Sequence, residues 1–366
     1  MTFMNAKVRA ALMTAFSKPL EIVEFPVPEL ESGSLIARIE SAGICGSDLH
    51  IWHGRDPRIK CPVVIGHEGL GRIEAIGGEK KDLFGQPLKP GDRIIWERGL
   101  FCGKCYYCVM EKEPSLCVER RTYGMNAPTT HTSLVGNYAE AIYLFPQTNV
   151  IKLRESDKPE VYVSTSCSGA TTAHSFELAR PRVGDTVVVQ GAGPIGLYAI
   201  AFAREAGAGT VVAVDMVEDR LRLAREFGAD HLIDRKTTSI EEMVRTVKEL
   251  TAGLGADFAV ECSGAPESME EGLKMIRRNG TYLVPGYASI TRPINIDGLN
   301  DITNKQILIR GSWVSDTSHL FKAIQIVRKN KYPFDKMITH KFPLDDVNKA
   351  LQALDRREAI KAALTP

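Results

Sequence analysis

The sequence predicts an α/β protein in which a doubly wound parallel sheet is inserted into a β-rich domain shaped as a partly open barrel. Up to about residue 150, short β-type runs alternate with glycine and proline. Past Arg182, apolar strands, glycine turns and amphipathic helices follow one another, which is typical of parallel sheets covered by helices. The length of 366 residues fits two domains at roughly 150 residues each.

The β-rich domain begins near the N-terminus. Lys7 and Arg9 precede a short apolar run that ends at Thr14, which is too short for a secretion signal and indicates a first strand. Further strands are predicted from apolar runs bounded by turn residues. They lie at residues 35–39, 63–65, 93–96 and 141–144.

The second domain is predicted to contain about six strands, the number that a complete dinucleotide-binding sheet needs. Each strand is followed by a glycine turn or an amphipathic helix, as parallel pairing requires. The strands are predicted at residues 186–189, 211–214, 258–261, 281–284 and 307–309, and the helices at 195–205, 217–226 and 268–277.

The last 55 or so residues are too few to form a domain of their own, so we expect them to pack on the N-terminal region. The predicted domains are therefore residues 1–168 with 311–366, and residues 169–310. The C-terminal segment is predicted to hold a helix at 318–329, a strand at 338–342 and a helix at 344–356.

Charge and hydropathy exclude several classes of partner. Lys and Arg total 46 against 45 for Asp and Glu, a net charge of +1, so we expect no nucleic-acid partner. The longest apolar stretch, residues 191–203, falls short of the roughly 20 residues that cross a bilayer, so we expect a soluble protein without membrane contact. Four of the eight cysteines are crowded together, which indicates a thiolate metal site and a reducing cytoplasm.

A glycine motif marks the predicted nucleotide site. Gly191, Gly193 and Gly196 satisfy G-x-G-x-x-G, with Pro194 and Ile195 opening the following helix, where backbone N–H groups can approach a pyrophosphate. Asp215 lies 19 residues after Gly196, at the end of the next strand. A carboxylate there accepts the ribose hydroxyls of NAD and repels a 2′-phosphate, so NAD is favoured over NADP. Arg220 is a further candidate for binding the cofactor.

Four cysteines fall within 16 residues and form the strongest local signal in the chain. Four thiolates at such short spacing are typical of a closed tetrahedral zinc site, which stabilises a lobe and has no open position for chemistry. We expect this structural zinc lobe at about residues 98–120. Its ligands are Cys102, Cys105, Cys108 and Cys117, spaced by two, two and eight residues.

A looser set of metal-ligating residues comprises Cys45, His67 with Glu68, and Cys167. Spacings of 22 and 100 residues cannot by themselves unite these side chains in one site. An isolated cysteine is commonly a small core residue, and an isolated histidine is commonly structural. The residues alone therefore leave both readings open.

The combined motifs resemble the zinc-dependent alcohol and polyol dehydrogenases of the medium-chain dehydrogenase/reductase family. The resemblance depends on G-x-C-G-(S/T)-D-x-H at residues 43–50, G-H-E-G at 66–69, the four-cysteine lobe and the glycine motif, in that order. It implies a Rossmann sheet inserted into a GroES-like catalytic domain. It also implies two zinc ions per chain, one catalytic and one structural, and a homodimer or homotetramer paired around residues 280–309.

The resemblance also implies roles for single residues. Cys45, His67 and Cys167 look like the ligands of the catalytic zinc, although many polyol-oxidising relatives carry a carboxylate in place of this last cysteine. The resemblance places Glu68 beside the metal and has Asp48 accept a hydrogen bond from His67. It has Ser47 bind the substrate hydroxyl and His50 pass the proton of that hydroxyl on. It also implies that Thr171 packs on nicotinamide and that Lys361 replaces an arginine that reaches the pyrophosphate.

The predicted function is hydride transfer between an alcohol or polyol, or the corresponding carbonyl compound, and NAD. Arg98, four residues before Cys102, falls where many relatives have an apolar residue of the substrate pocket. A basic residue there leaves open an enzyme that resembles L-threonine 3-dehydrogenase and acts on a charged alcohol. An alternative of another class is a non-catalytic zinc protein that senses NAD.

Overall fold

The structure is a computed structural model that describes residues 7–285 and 293–366. The chain divides into two compact units. One contains Met1–Cys167, Ser315–Phe321 and Ile338–Pro366, and the other contains Ser168–Val314 and Lys322–Met337. No helix in the described residues is both long enough and apolar enough to span a bilayer.

The first unit is built around the long strand Leu35–Ile44. One edge of this strand pairs with Glu68–Ile76, and the other edge is shared between Ala141–Leu144 and Lys361–Leu364. The predicted β-rich domain is confirmed, and its sheet brings the C-terminal strand beside residues 42–44. The strands of this unit are Lys7–Met13, Glu21–Pro26, Leu35–Ile44, Val63–Val64, Glu68–Ile76, Arg93–Trp96, Gly99–Leu100, Arg121–Thr122, Ala141–Leu144, Val150–Lys152, Ile338–Phe342 and Lys361–Leu364.

The second unit contains a parallel sheet of six strands. Thr186–Gln190 is buried along its whole length because it has a neighbouring strand on each side and helices on the faces. In chain order the strands lie 3-2-1-4-5-6 across the sheet, which is the doubly wound arrangement. Across the sheet these strands are His231–Asp234, Thr210–Asp215, Thr186–Gln190, Ala256–Glu261, Ile276–Pro285 and Leu308–Ser312.

The α-helices are short, and several follow a strand after a turn of a few residues. Ser239 caps the helix Ile240–Glu249 by accepting a hydrogen bond from the Glu242 amide, while the Glu242 carboxylate accepts from the Ser239 amide. The helices are Gly46–Trp52, Tyr106–Val109, Pro159–Tyr162, Ser168–Leu178, Pro194–Glu205, Glu218–Glu226, Ile240–Glu249, Pro266–Met275, Thr317–Arg328 and Val347–Asp355.

The structure differs from the sequence predictions at several elements. The strand His231–Asp234 and the helix Ile240–Glu249 were not predicted, because the strand is short and polar at both ends. The helix predicted to reach residue 277 ends at Met275, because Ile276 already pairs with Ala256 in the parallel ladder. Residues 286–292, part of the stretch predicted to pair between subunits, lie outside the described residues.

The predicted division into domains also differs from the two units at residues 322–337. Those residues were expected with the C-terminal segment, whereas they cluster with the second unit. Tyr332 and Phe334 explain this placement, because their rings pack against Phe227 and, for Phe334, against Tyr198. The aromatic contacts hold the segment that follows the helix Thr317–Arg328.

Candidate active site and metal clusters

Four side chains with metal-ligating atoms converge in the first unit. Their ligand atoms, from Cys45, His67, Glu68 and Cys167, all lie within 4.8 Å of one another. Cys45 follows the central strand and caps the helix Gly46–Trp52. The register of the sheet places Gly43 opposite Glu68, so the residues near the end of one strand face the start of the next.

A glycine is required at residue 43. A Cβ atom there would lie 2.2 Å from Glu68 Oε2, so any side chain would displace the carboxylate from the cluster. The two sulfur atoms of Cys45 and Cys167 lie 3.9 Å apart. Two thiolates bound to one tetrahedral Zn²⁺ at about 2.3 Å each would be separated by about 3.8 Å, so this pair fits zinc.

Asp48 organises the histidine of this cluster. It is fully buried, and its carboxylate accepts hydrogen bonds from His67 Nδ1 at 3.0 Å, the Cys45 amide at 2.8 Å and the Tyr138 hydroxyl at 2.8 Å. Burial lowers the pKa of His67, but the carboxylate outweighs burial and raises it to about 10. With Nδ1 held by Asp48, Nε2 of His67 is the nitrogen left to bind a metal.

Glu68 is paired with a buried lysine. Lys361 Nζ lies 2.8 Å from Oε1 and 2.7 Å from Oε2 of this carboxylate, and also donates to the Ile44 carbonyl at 3.3 Å. Burial raises the pKa of Glu68 to about 7, although Lys361 opposes the shift. The resemblance implies that Lys361 reaches a pyrophosphate, and that contact stays a prediction. In the structure its ammonium lies on Glu68. No sequence pattern indicated this contact.

Arg98 is buried, with 5% of its surface exposed, and its guanidinium contacts the cluster. Nη1 donates to Cys167 Sγ at 2.6 Å, and Nη2 donates to Ser315 Oγ at 3.4 Å. Its place on the substrate-pocket wall stays a prediction. The structure shows that the side chain is bonded to a candidate metal ligand.

Ser47 and His50 lie on the helix that follows Cys45. Ser47 Oγ is 3.3 Å from His67 Nε2, so its hydroxyl borders the cluster. The Nδ1 atom of His50 is buried without a hydrogen-bond partner among the described residues. Burial lowers the pKa of His50, so the imidazole is neutral near pH 7 and able to accept a proton.

The four cysteines of the lobe also converge. Their sulfur atoms lie within 4.8 Å of one another, with Cys105 and Cys108 at 3.5 Å and Cys102 and Cys117 at 3.6 Å. Hydrogen bonds from backbone amides, first that of Cys108 and then that of Val118, lower the pKa of Cys105 to about 6. The sulfur separations are close to the spacing of about 3.8 Å for four thiolates on one Zn²⁺.

The glycine motif forms a tight turn in the second unit. Gly191 has a φ of +92°, and a Cβ at Gly196 would lie 1.8 Å from the Gly191 carbonyl oxygen, so both positions require glycine. Pro194 opens the helix that follows, as predicted. Thr171 is buried on the helix Ser168–Leu178.

Asp215 ties the next strand to this turn. Its Oδ2 accepts from the Ala192 amide at 2.6 Å, and its Oδ1 accepts from the Met216 and Val217 amides at 2.7 and 2.9 Å. Arg220 also lies near this turn, because a Cβ atom at Gly193 would be 3.9 Å from its Nη1. A carboxylate and a guanidinium thus lie at the turn that is predicted to bind the nucleotide.

Comparisons with known proteins cover both units. Residues 31–155 match the family described as alcohol dehydrogenase GroES-like domain, and residues 194–329 match zinc-binding dehydrogenase. The chain is 32% identical to 5-exo-hydroxycamphor dehydrogenase of Pseudomonas putida over 97% of this chain and 98% of that protein. It is 29% identical to L-threonine 3-dehydrogenase of Bacillus subtilis, strain 168, over 99% of each.

Solved structures of dehydrogenases are also similar to this chain. An alcohol dehydrogenase from Thermotoga maritima has a TM-score of 0.95 and 42% identity, covering 99% of this chain and 100% of that one. A structure described as a short chain alcohol dehydrogenase from E. coli CFT073, complexed with NADH, has a TM-score of 0.84 and 25% identity, covering 99% and 100%. Both similarities extend over the whole chain.

Proposed function

Because the chain belongs to the zinc-dependent alcohol and polyol dehydrogenases of the medium-chain dehydrogenase/reductase family, we propose that Cys45, His67 and Cys167 hold its catalytic Zn²⁺. The observation that carries the proposal is the convergence of these ligand atoms, with Glu68, within 4.8 Å. Membership of the family also makes the chain an enzyme, which disfavours the alternative of a non-catalytic sensor.

The chemistry needs a Lewis acid and a route for a proton. Zn²⁺ supplies the first, because it favours the loss of the proton from an alcohol at neutral pH. Ser47, at the border of the cluster, orients the substrate hydroxyl and receives its proton. His50, neutral because burial lowers its pKa, takes the proton onward to solvent. Bound NAD would supply the acceptor for the hydride of the carbinol carbon, and its reduced form the donor for the reverse reaction, with the pyrophosphate held at the turn of Gly191, Gly193 and Gly196.

We propose NAD as the preferred cofactor. Asp215 supports this preference, because a carboxylate at the end of the second strand of the sheet binds ribose hydroxyls and repels a 2′-phosphate. Gly191, Gly193 and Gly196 supply the close backbone approach to the pyrophosphate, and Thr171 remains the residue predicted to pack on nicotinamide. A pyrophosphate contact of Lys361 also remains a prediction.

The four cysteines of the lobe are proposed to bind the second Zn²⁺, which has a structural role. The experiment is metal analysis of three purified proteins with activity measured alongside. The wild type should hold two zinc ions per chain, and Cys45→Ala should lose one ion and all turnover. Cys105→Ala should lose the other ion and thermal stability. A wild type with one zinc ion, or a Cys45→Ala variant that keeps full activity, would contradict the assignment.

Substrate class is tested with a panel of primary alcohols, secondary alcohols, vicinal diols, sugar alcohols and L-threonine, each with NAD and with NADP. We propose a neutral alcohol or polyol. The specific observation that supports a neutral substrate is the Arg98 guanidinium, which is bonded to Cys167. Turnover confined to L-threonine would favour the charged-alcohol alternative instead.

We further propose a cytoplasmic homodimer or homotetramer. None of the eight cysteines, all of which lie in the described residues, forms a disulfide, as expected in a reducing compartment. In the described residues, the strand Leu308–Ser312 lies at an edge of its sheet, where it could pair with a second copy of the chain. The side chains of Leu308 and Trp313 are 54% and 43% exposed. Sedimentation analysis tests this proposal: a monomer at micromolar concentration would contradict it.

A further inference from the structure

A buried guanidinium bonded to a metal-ligating sulfur has no part in the proposed chemistry. Arg98 Nη1 lies 2.6 Å from Cys167 Sγ, and Ser315 Oγ holds the other end of the fork at 3.4 Å. Both Arg98 and Cys167 are at most 6% exposed. Arginine stays charged at any pH that the protein survives, so this is a permanent positive charge beside a thiol.

Glu97, the acidic residue next to Arg98 in the sequence, also forms an ion pair with Arg120. Glu97 is 2% exposed, and its Oε1 lies 3.8 Å from Nη2 of Arg120, whose side chain is also buried. Burying a guanidinium costs several kcal/mol unless an anion or hydrogen-bond acceptors compensate it. The sulfur of Cys167 accepts a hydrogen bond from Arg98, and as a zinc ligand it would also be an anionic partner of this guanidinium.

We propose that Arg98 is a positioning residue that tunes the metal through Cys167. A thiolate that accepts a charge-assisted hydrogen bond donates less electron density to its metal, which makes the metal a stronger Lewis acid. Many polyol-oxidising relatives have a carboxylate in place of Cys167, and a carboxylate donates less electron density to the metal than a thiolate does. The hydrogen bond from Arg98 reduces the electron donation by the Cys167 sulfur and so offsets this difference in Lewis acidity. The inference rests on the proposed function, because it requires Cys167 to be a ligand.

The alternative use of Arg98 is binding the anionic group of a substrate. The hydrogen bond to Cys167 favours the tuning role, because the donor that points at the cluster is already directed at sulfur. The two roles make opposite predictions. Loss of a tuning residue slows every substrate equally, whereas loss of an anion-binding residue slows anionic substrates alone.

The experiment uses the full-length protein with Co²⁺ at the catalytic site and Zn²⁺ retained in the four-cysteine lobe, verified as one ion of each per chain. The thiolate-to-cobalt charge-transfer bands report electron donation by Cys45 and Cys167. In Arg98→Met these bands should move to longer wavelength, because the sulfur regains its lone pair. Arg98→Lys, which restores a charged donor, should return the bands most of the way to the wild type.

The zinc form provides a second readout. In Arg98→Met, kcat should fall about tenfold on every alcohol of the panel that the wild type oxidises, charged or neutral. The acid limb of the kcat profile should move to higher pH by about one unit, the equivalent of tenfold. Arg120→Met is the comparison variant. It removes a neighbouring buried guanidinium that donates to the Ser315 carbonyl at 3.4 Å and for which the described residues show no hydrogen bond to sulfur. Its charge-transfer bands should shift less than those of Arg98→Met.

Ser315→Ala covers the case in which Arg98→Met does not fold. It removes the hydrogen bond at Nη2 and frees the guanidinium to move, so its bands should shift in the same direction by a smaller amount. Unchanged bands in Arg98→Met and Ser315→Ala would overturn the inference, and so would a loss restricted to L-threonine. If the wild type shows no cysteine charge-transfer band at all, the proposed catalytic site itself is wrong.

Discussion

Lys361 and Glu68 form an ion pair with almost no solvent contact. The ammonium lies 2.8 and 2.7 Å from the two carboxylate oxygens, and the side chains are 1% and 0% exposed. They are 293 residues apart in the chain and meet because the C-terminal strand pairs with residues 42–44. The last strand of the protein thus completes the surroundings of the candidate metal cluster.

Replacing Lys361 with methionine should destabilise the first unit strongly. The change leaves the carboxylate of Glu68 buried without its partner, which typically costs about 3–5 kcal/mol. The double variant Lys361→Met with Glu68→Gln removes both charges and should recover most of the loss. Chemical unfolding of the single and double variants measures this coupling. Additive losses would show that the two side chains do not stabilise each other.

Replacing Asp48 with asparagine should weaken metal retention at the cluster of Cys45, His67, Glu68 and Cys167. The change removes the charge that orients His67 through Nδ1, and such changes lower metal affinity or activity by about 10–100-fold. Competition with a chelator, followed by metal analysis, measures the effect. Tyr138→Phe is the matched control, because it removes one neutral donor to the same carboxylate and should cost about 1 kcal/mol of stability at most. Equal metal loss in both variants would contradict the special role of the carboxylate.

The sequence predicts some parts of the molecule from local signals. The four lobe cysteines lie close together in the sequence, and so do the glycines at 191, 193 and 196. Short-range spacing therefore predicts both the cysteine lobe and the glycine turn without knowledge of the fold. The first cluster is different. Its ligands are separated by 22 and 100 residues, and only the resemblance to a family brought them together before the structure did.

The contacts of Arg98 and Lys361 could not be predicted from local signals. Arginine and lysine are rarely buried in proteins. The burial of Arg98 and Lys361 is explained by their partners Cys167 and Glu68, which lie far away in the sequence. Lys361 depends on the strand that precedes Cys45, and Arg98 depends on the placement of Cys167 after the turn Val163–Ser166. The helix Ile240–Glu249 did carry a local signal, because Ser239 and Glu242 have the spacing of a capping box.

Replacing Asp215 with asparagine should relax the choice between NAD and NADP. The variant keeps an acceptor for the Ala192 amide but loses the charge that repels a 2′-phosphate. We expect the ratio of kcat/KM for NAD over NADP to fall by about tenfold or more, since charge repulsion at short range is worth over 1 kcal/mol. Adding Arg220→Ala to this variant should reduce the gained activity with NADP. An unchanged ratio in Asp215→Asn would show that the preference is set elsewhere.

Glu205 should make the stability of the second unit dependent on pH. Its carboxylate accepts hydrogen bonds from Lys329, Lys331 and the Tyr332 hydroxyl. The first of these contacts, together with the others, lowers the pKa of Glu205 from 4.5 to about 2. Because the folded-state pKa is depressed, the stabilisation is complete above about pH 4.5 and is lost as the pH falls toward 2. The lysines are more than half exposed, so screening limits the effect to about 1 kcal/mol.

The measurement is the difference in thermal stability between wild type and Glu205→Gln from pH 7 to pH 3.5. The wild type should be the more stable protein at pH 7, by a margin that holds down to about pH 5 and then shrinks, because protonation of the carboxylate in the unfolded chain opposes folding. Glu226→Gln, which removes a single exposed pair with Lys336, is the matched control and should have a smaller effect at pH 7. A margin for Glu205→Gln that stays constant down to pH 3.5 would show that the carboxylate stabilises this unit through its shape and not through its charge.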